Sequence, residues 1–364
     1  MRPRRSSALA ALLLAGVAAT APGLAIAYET HDSHFHLTNY VQHGPSLRDF
    51  LATMGDRVGR VAVFGIPLQQ TWSYENSGEF APTYYLHSDA PLYYYSFTDA
   101  WIAKEFLSLS KRERTRFDPM ITGFNPADMY ATDHIRRVLE TFPGVFSGIG
   151  EFTIHKEFVS SKVAGDVASL TDPALDRIFA FAGKVGLVVL LHNDIDVPFS
   201  KEEEPVYLNQ MKALLARHPG TTIIWAHTGL GRVIHPQRTQ AAAGSAERST
   251  THIEILLEML EDPALDHLLF DLSWDEVAKY VLSSQEATQR TARMIEAYPD
   301  RFLFGTDEVA PRTQEAYLRV YEQYGPLFEA LRPETREKLR KGNYERIFDA
   351  ARKNVRAWEK ANVK

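Results

Sequence analysis

Four short apolar runs in this chain each end in a side chain that could bind a metal ion or move a proton. The runs are continuous and lack polar–apolar alternation, which is typical of strands in a parallel sheet that is buried on both faces. Strands of this kind restrict the chain to architectures in which helices cover the sheet. The side chains that end the four runs are Glu151, His192, His227 and Asp307.

A pair of histidines near the start of the chain supplies two further candidate ligands. His34 and His36 flank Phe35, and residues two apart on a strand point the same way, so both imidazoles face one point. Two neutral imidazoles that converge suit a borderline divalent cation such as zinc. The pair is weak evidence alone and becomes informative together with the polar strand ends.

Eight candidate strands alternate with helical stretches. This order predicts an α/β fold, a (β/α)8 TIM barrel with long βα-loop insertions, whose chemistry lies at the carboxyl ends of the strands. A doubly wound open sheet is the alternative, but the sequence has no Gly-rich first turn to support it. The strands lie near residues 29–37, 60–67, 118–124, 146–154, 186–193, 221–228, 267–273 and 301–307, and the helical stretches are 46–57, 99–116, 127–141, 172–184, 203–217, 251–261, 275–298 and 314–362.

The composition is that of a globular enzyme with a small-molecule partner. Of the 364 residues, 45% are hydrophobic and 24% are charged, and the formal net charge of −6 offers no basic surface to nucleic acid. The sequence has no cysteine, which excludes disulfides, thiolate ligands and a thiol nucleophile. No repeat or linker divides residues 28–364, so we expect one domain. The sequence does not decide between a monomer and a homodimer.

Residues 1–27 have the order of a secretory signal peptide. A basic start precedes an apolar stretch, and the Ala-Ile-Ala sequence at 25–27 fits the small-x-small cleavage pattern. We therefore expect cleavage before Tyr28, a periplasmic or secreted location in a bacterium, and no stable membrane association. An uncleaved anchor is the alternative, which the proline and glycine at positions 22 and 23 disfavour because they interrupt a short span.

Five motifs occur in a characteristic order: Asp32-x-His34-x-His36, Gly148-Ile149-Gly150-Glu151, His192, Ile224-Trp225-Ala226-His227 and Phe304-Gly305-Thr306-Asp307. Together they resemble the amidohydrolase superfamily, and the closest similarity is to the amidohydrolase-related group that contains the aminocarboxymuconate-semialdehyde decarboxylase-like enzymes. The resemblance covers nearly all of residues 28–354. It implies a metal-dependent amidohydrolase-type TIM-barrel domain with one or two divalent metals per chain, zinc in the first place and manganese as the alternative.

The resemblance also implies roles for the candidate ligands. Many binuclear relatives bridge their metals with a carbamylated lysine on the fourth strand, and Glu151 takes that place here. A carboxylate can bridge two ions about 3.5–4 Å apart, and the alternative is that Glu151 contacts the substrate or forms an ion pair beside one metal. By resemblance, His34, His36 and Asp307 hold the more buried metal, His192 and His227 face a second metal or the substrate, and the catalytic groups are Asp307, His227 and Glu151.

Two insertions supply candidate substrate contacts. The loop at residues 69–95 is rich in tyrosine, and we expect Trp72 and Tyr94 to line a pocket for a planar ligand. A satellite core or a dimer contact is the alternative for this loop. After strand six, Arg232 follows His227 closely enough to bind a substrate carboxylate.

The remaining polar candidates have more ordinary interpretations. Asp271 and Ser273 share a face at the end of strand seven. We favour a structural role for Asp271, whereas Ser273 could equally line the pocket and bind substrate. His155 shares the strand face of Glu151 and could touch the site. The other histidines are expected in surface or packing roles, namely His31, His43, His134, His218, His252 and His267.

Two reaction classes fit these features. In the first, a metal-activated water attacks an ester, lactone, amide or phosphoester of a small carboxylate-bearing or aromatic substrate, and Asp307 moves the proton to the leaving group. In the second, one metal acts as Lewis acid in the non-oxidative decarboxylation of an aromatic or enol carboxylic acid. We favour hydrolysis because the ligand set looks complete for two metals. A periplasmic metal-binding protein without catalysis is the third hypothesis.

Overall fold

The computed structural model describes most of the chain. The described residues are 28–39, 43–66, 70–71, 97–156, 159–163, 166–198, 200, 204–231 and 252–363. The expected signal peptide, residues 1–27, therefore lies outside the described residues. Within the described ranges, no helix is both long enough and apolar enough to cross a membrane.

Eight parallel strands form the wall of the barrel, and each of the first seven pairs with the barrel strand that follows it in the chain. Each coincides with a predicted strand, and the predicted (β/α)8 TIM barrel is confirmed. The strands are β1 (Thr30–His36), β2 (Val58–Phe64), β3 (Phe117–Ile121), β4 (Gly148–Thr153), β5 (Val188–His192), β6 (Ile223–Trp225), β7 (Leu268–Leu272) and β8 (Phe302–Phe304).

The chain closes the barrel in two steps after β7. β8 pairs with β7, and after a short break Glu308–Val309 pairs in parallel with β1. Two backbone hydrogen bonds strengthen this junction: the Asp307 N–H donates to the His34 carbonyl at 2.8 Å, and the Ala310 N–H donates to the His36 carbonyl at 2.9 Å. Closure therefore places residues from the two ends of the domain side by side.

Helices surround the barrel, and three of the predicted helical stretches are divided. The last stretch, 314–362, contains four helices. Residues 99–116 form two helices because Ser110 begins the second one, where its hydroxyl accepts the Glu113 N–H. Ser284 divides residues 275–298 in the same way. A serine at this position satisfies an N–H group that a helix start leaves unpaired. The helices are α1 (Leu47–Met54), α2 (Phe97–Ser108), α3 (Lys111–Arg114), α4 (Ala131–Thr141), α5 (Pro173–Val185), α6 (Leu208–Ala216), α7 (His252–Glu261), α8 (Asp275–Val281), α9 (Gln285–Ala297), α10 (Gln314–Gln323), α11 (Gly325–Ala330), α12 (Pro333–Glu337) and α13 (Asn343–Asn362).

Helix α13 closes the amino-terminal end of the barrel. Its apolar side chains join the cluster inside the barrel, where they meet residues of several strands. The helix lies at the amino-terminal end because the Tyr344 hydroxyl donates to Asp118 at the start of β3, at 2.7 Å. One end of the barrel is thus filled, and chemistry is left to the other. The helix residues in the cluster are Tyr344, Ile347, Phe348 and Ala351.

A buried carboxylate fastens α13 to the barrel. Asp118 is fully buried and accepts hydrogen bonds from Arg60 at 3.0 Å, from Tyr344 and from Arg352. A buried charge is tolerated when it is paired and hydrogen-bonded, and two guanidinium groups supply that pairing here. The docking of the helix therefore rests on charge as well as on apolar contact.

A small antiparallel sheet follows the carboxyl end of β4. Val159–Val163 pairs with Gln70–Thr71 and with His155–Lys156, and Asp166–Val167 pairs with the same strand. The insertion that follows β2 and the hairpin that follows β4 are therefore joined at the carboxyl end of the barrel.

Removal of the Phe348 ring should destabilise the fold. Phe348 is fully buried and its ring centre lies 4.4 Å from that of Tyr344. Phe348→Ala should lower the free energy of unfolding by about 3–5 kcal/mol because it leaves a cavity in the barrel. Lys353→Ala, on the exposed face of the same helix, should change it by less than about 0.5 kcal/mol. Denaturant titration measures the stability of both variants. Equal stability would contradict the conclusion that α13 fills this end of the barrel.

Candidate metal centre

Barrel closure places His34, His36 and Asp307 together at the carboxyl end of the strands. Nε2 of His36 lies 3.0 Å from Oδ1 of Asp307, and Nε2 of His34 lies 3.2 Å from the same oxygen. The three side chains are 6%, 9% and 0% exposed for His36, Asp307 and His34. Two neighbouring histidines thus share one buried carboxylate oxygen.

Glu151, at the end of β4, brings a second carboxylate to the same point. Its Oε1 lies 3.7 Å from Nε2 of His34 and 3.6 Å from Nε2 of His227. Its Oε2 lies 3.4 Å from Nε2 of His36. The two oxygens of Glu151 therefore face different histidines, so this carboxylate can contact more than one group of candidate ligands.

The donor set fits a divalent cation. Nε2 of His34 and Nε2 of His227 are buried and have no hydrogen-bond partner of acceptable geometry within the described residues. Buried polar atoms rarely lack a partner, and imidazole nitrogens with carboxylate oxygens are ligands that zinc takes. Two groups of ligand atoms lie within 4.8 Å of one another, namely His34, His36 and Asp307, and His34, Glu151 and His227.

His34 belongs to both groups, which restricts how many ions it can serve. A neutral imidazole has one nitrogen that can accept or ligate. Nδ1 of His34 already lies 2.8 Å from Oδ2 of Asp271, so Nε2 alone faces the centre and serves one ion. A second ion would depend on the other ligands.

His192 lies at the centre, but its ring nitrogens are both held by carboxylates. Nδ1 lies 2.5 Å from Oε1 of Glu151, and Nε2 lies 3.0 Å from Oδ1 of Asp194. In this arrangement His192 orients Glu151, and its role as a metal ligand stays a prediction. Sequence reasoning missed Asp194, although its position two residues after His192 puts it within reach of the same face.

Asp271 is fully buried and holds a candidate ligand, which makes the structural role favoured from the sequence more specific. Its Oδ2 faces Nδ1 of His34 and also accepts the Ser273 hydroxyl at 2.5 Å. The Ser273 oxygen lies 2.8 Å from Nδ1 of His227. Partners of this kind fix the tautomer and the direction of a ligating ring, so Asp271 and Ser273 aim two imidazoles at the centre.

Asp32, like Asp194, is a buried acid to which the sequence analysis assigned no role. It accepts the backbone N–H groups of His34 and Thr306, both at 2.9 Å. It also accepts the Thr306 hydroxyl at 2.7 Å and the Tyr317 hydroxyl at 2.8 Å. Its place in the Asp32-x-His34-x-His36 motif is the signal that could have indicated this role.

The backbone around the centre adopts an uncommon conformation. Among the described residues, every non-glycine residue with positive φ follows β6, β7 or β8. His227 therefore lies in a tight turn after β6, which corrects the predicted strand at 221–228. Such residues cost about 1–3 kcal/mol each and are concentrated at functional sites. They are His227 (56°), Thr228 (55°), Trp274 (74°), Asp307 (55°) and Ala310 (47°).

Two buried carboxylates in the centre are held in the ionised form. Burial favours the neutral form of Glu151, yet His192, Lys156 and His34 hold the pKa of this carboxyl well below its usual range. Burial likewise opposes ionisation of Asp307, yet His34 and His227 hold its pKa low. Two ionised carboxylates in a buried volume attract a cation.

The imidazoles differ in protonation. Burial lowers the pKa of His36 and of His227, so these rings are neutral at pH 7 and can act as ligands. Burial also opposes charge on His34, but Asp307, Glu151 and Asp271 raise its pKa well above the usual value.

Three residues that were predicted to contact substrate, Trp72, Tyr94 and Arg232, lie outside the described residues. The ring of His155, which was expected near the site at most, stacks on Tyr207 with ring centres 3.9 Å apart.

Most of the chain matches the model of a protein family described as amidohydrolase, over residues 32–350. No curated protein matches the sequence at a significant level.

Solved structures with a similar chain path share little sequence with it. A putative 2-pyrone-4,6-dicarboxylic acid hydrolase from Pseudomonas putida is 13% identical, with 89% of this chain and 98% of that chain covered and a TM-score of 0.48. A 2,6-dihydroxybenzoate decarboxylase from Rhizobium is 13% identical (89% and 99% covered, TM-score 0.48). An amidohydrolase from Burkholderia multivorans with bound zinc is 16% identical (88% and 99% covered, TM-score 0.49).

Replacement of Asp271 should weaken metal binding without unfolding the protein. Asp271→Asn keeps the shape of the side chain but can donate to Nδ1 of His34, which disturbs the tautomer with Nε2 free for an ion. We expect zinc affinity to fall about 10–100-fold. Competition with a chelator measures it, with Asp266→Asn, an exposed change before the same strand, as control. Equal zinc affinity in the two variants would show that Asp271 does not position His34.

Proposed function

Because the chain belongs to the amidohydrolase family, we propose that it is a metal-dependent hydrolase that acts on an ester, lactone, amide or phosphoester of a small substrate. The observation that carries the proposal is the convergence of three imidazole Nε2 atoms on two buried carboxylates at the carboxyl end of the barrel. A bound divalent cation supplies Lewis acidity, which polarises a substrate oxygen and lowers the pKa of water.

The two oxygens of Asp307 support separate tasks. Oδ1 faces Nε2 of His34 and of His36, where a ligand is needed. Oδ2 lies 3.9 Å from Nε2 of His227. We assign Oδ1 to metal binding and Oδ2 to proton transfer: it accepts a proton from the attacking water and returns it to the leaving group.

His227 and Glu151 complete the proposed machinery. The Ser273 hydroxyl and the tight turn after β6 hold the His227 ring with Nε2 toward the centre. From there a neutral imidazole can orient a water or a substrate oxygen by hydrogen bonding. Glu151, held by His192, serves as a further ligand and as the candidate bridge to a second ion.

Non-oxidative decarboxylation is the second candidate, and the shared His34 favours it. A single Nε2 that serves both ligand groups fits one ion, and one Lewis-acidic ion suffices for decarboxylation, whereas a bridged pair is characteristic of many hydrolytic sites. Hydrolysis stays the first proposal because a single bound ion also suffices to activate water. A metal-binding protein without catalysis is the third candidate, which any reproducible turnover excludes.

We also propose that the protein acts outside the cytoplasm of a bacterium, on a small molecule and without nucleic acid. The basic, apolar and small-residue order of residues 1–27 supports export. Mass spectrometry of protein from the native host should give a chain that starts at Tyr28. Detection of the intact leader would argue for a retained anchor.

Product analysis of zinc-loaded protein tests the proposed reaction. Esters, lactones and amides should be hydrolysed, and aromatic acids should release no carbon dioxide. Asp307→Asn should lower turnover by about 100–1000-fold, the usual contribution of one acid–base or electrostatic group. Glu345→Gln, at the filled end of the barrel beside His31, is the matched control and should keep wild-type turnover. Carbon dioxide release without hydrolysis would replace the hydrolase with the decarboxylase.

The number of ions is measured separately, by elemental analysis of wild-type protein and of Glu151→Gln. We expect one zinc ion per chain in wild type, because one nitrogen of His34 serves both ligand groups. Two ions in wild type and one in Glu151→Gln would show instead that Glu151 bridges a binuclear centre.

A further inference from the structure

Lys156 is buried at the carboxyl end of the barrel. Among the residues that the structure describes, it is the one lysine or arginine less than one tenth exposed, at 8%. It lies in the short strand His155–Lys156, which follows β4 and Glu151. Lysine is almost never buried unless its charge is matched, so this position requires a physical reason.

The Lys156 ammonium belongs to the surroundings of the metal centre. Nζ lies 5.7 Å from the centre of the Trp274 ring, within the range of a cation–π contact. The Trp274 ring in turn lies 5.0 Å from the ring of His227. The charge of Lys156 also acts on Glu151 and on His192. Lys156 is therefore a neighbour of the groups that surround the candidate metal centre.

Trp274 provides a fixed, flat surface at this place. Its φ of 74° lies in a region that bulky side chains rarely adopt, and its side chain is buried. An indole face suits a planar apolar group, and the ammonium beside it offers three N–H donors and no acceptor. The pair therefore matches a planar ligand that carries an anion.

A positive charge beside the carboxylates of the centre favours an acidic ligand. Glu151, Asp194 and Asp307 lie around the same centre, and their charges repel a carboxylate. A nearby positive charge offsets this repulsion and fixes the orientation of the ligand.

We propose that Lys156 binds a carboxylate of the substrate. The inference rests on the metal-dependent function proposed above and names a residue that selects its substrate. Lys156 donates N–H groups to the carboxylate oxygens, while the flat body of the substrate packs against Trp274. Lys156 is thus a determinant of specificity.

Calorimetric titration of zinc-loaded protein tests this with matched acids and amides: benzoate with benzamide, and isophthalate with isophthalamide. Wild type should bind each acid more tightly than its amide. Lys156→Met should weaken acid binding by about 10–100-fold, the effect of one charged hydrogen bond, and change amide binding by less than about twofold. Lys156→Arg should keep part of the preference. Lys338→Met, an exposed lysine that pairs with Asp300, should resemble wild type.

Zinc content and thermal stability distinguish substrate binding from a purely structural role. A lysine that only balances the charge of Glu151 would, when replaced, lower zinc content or the melting temperature and weaken acids and amides equally. That result, or a wild type without preference for the acids, would overturn the proposal. Loss of the proposed hydrolysis together with a Lys156-dependent acid preference would overturn the hydrolase and leave the carboxylate site standing.

Discussion

One buried carboxylate, Asp32, joins the first strand of the barrel to the last. It accepts two backbone N–H groups, from His34 and Thr306, and two hydroxyls, from Thr306 and Tyr317. Four hydrogen bonds make the burial of this group tolerable, although burial raises its pKa to about 6. Because the candidate ligands of both strands flank this junction, the interaction that closes the barrel also assembles the metal centre.

Around that centre, side chains of neighbouring strands hold the histidines in position. Asp271 holds His34, Asp194 and Glu151 hold His192, and a hydroxyl holds His227. Rings that are fixed before an ion arrives lose little freedom on binding it. The tight turns after β6, β7 and β8 also help to fix the site, because they direct polar side chains inward where each strand stops.

The sequence predicted the barrel and the side chains that meet at its carboxyl end, because both depend on local patterns. Short continuous apolar runs that end in turn residues are consistent with buried strands, and parallel strands bring their carboxyl ends together. Roles that depend on distant neighbours were not predicted: nothing beside Asp271 in the sequence shows that its carboxylate meets the His34 ring. The left-handed turn at His227 was also missed, because positive φ is uncommon for any single non-glycine residue, even for histidine, which is enriched there. Ser110 and Ser284, by contrast, were readable helix starts within predicted continuous helices.

The central claim is that a divalent ion binds between the first and last strands, held by His34, His36 and Asp307. Anomalous diffraction above and below the zinc absorption edge, on crystals grown with zinc, tests it most directly. The account predicts a peak about 2.0–2.2 Å from ligand atoms of these three side chains. A map without a peak among them, or with zinc bound only elsewhere, would contradict it.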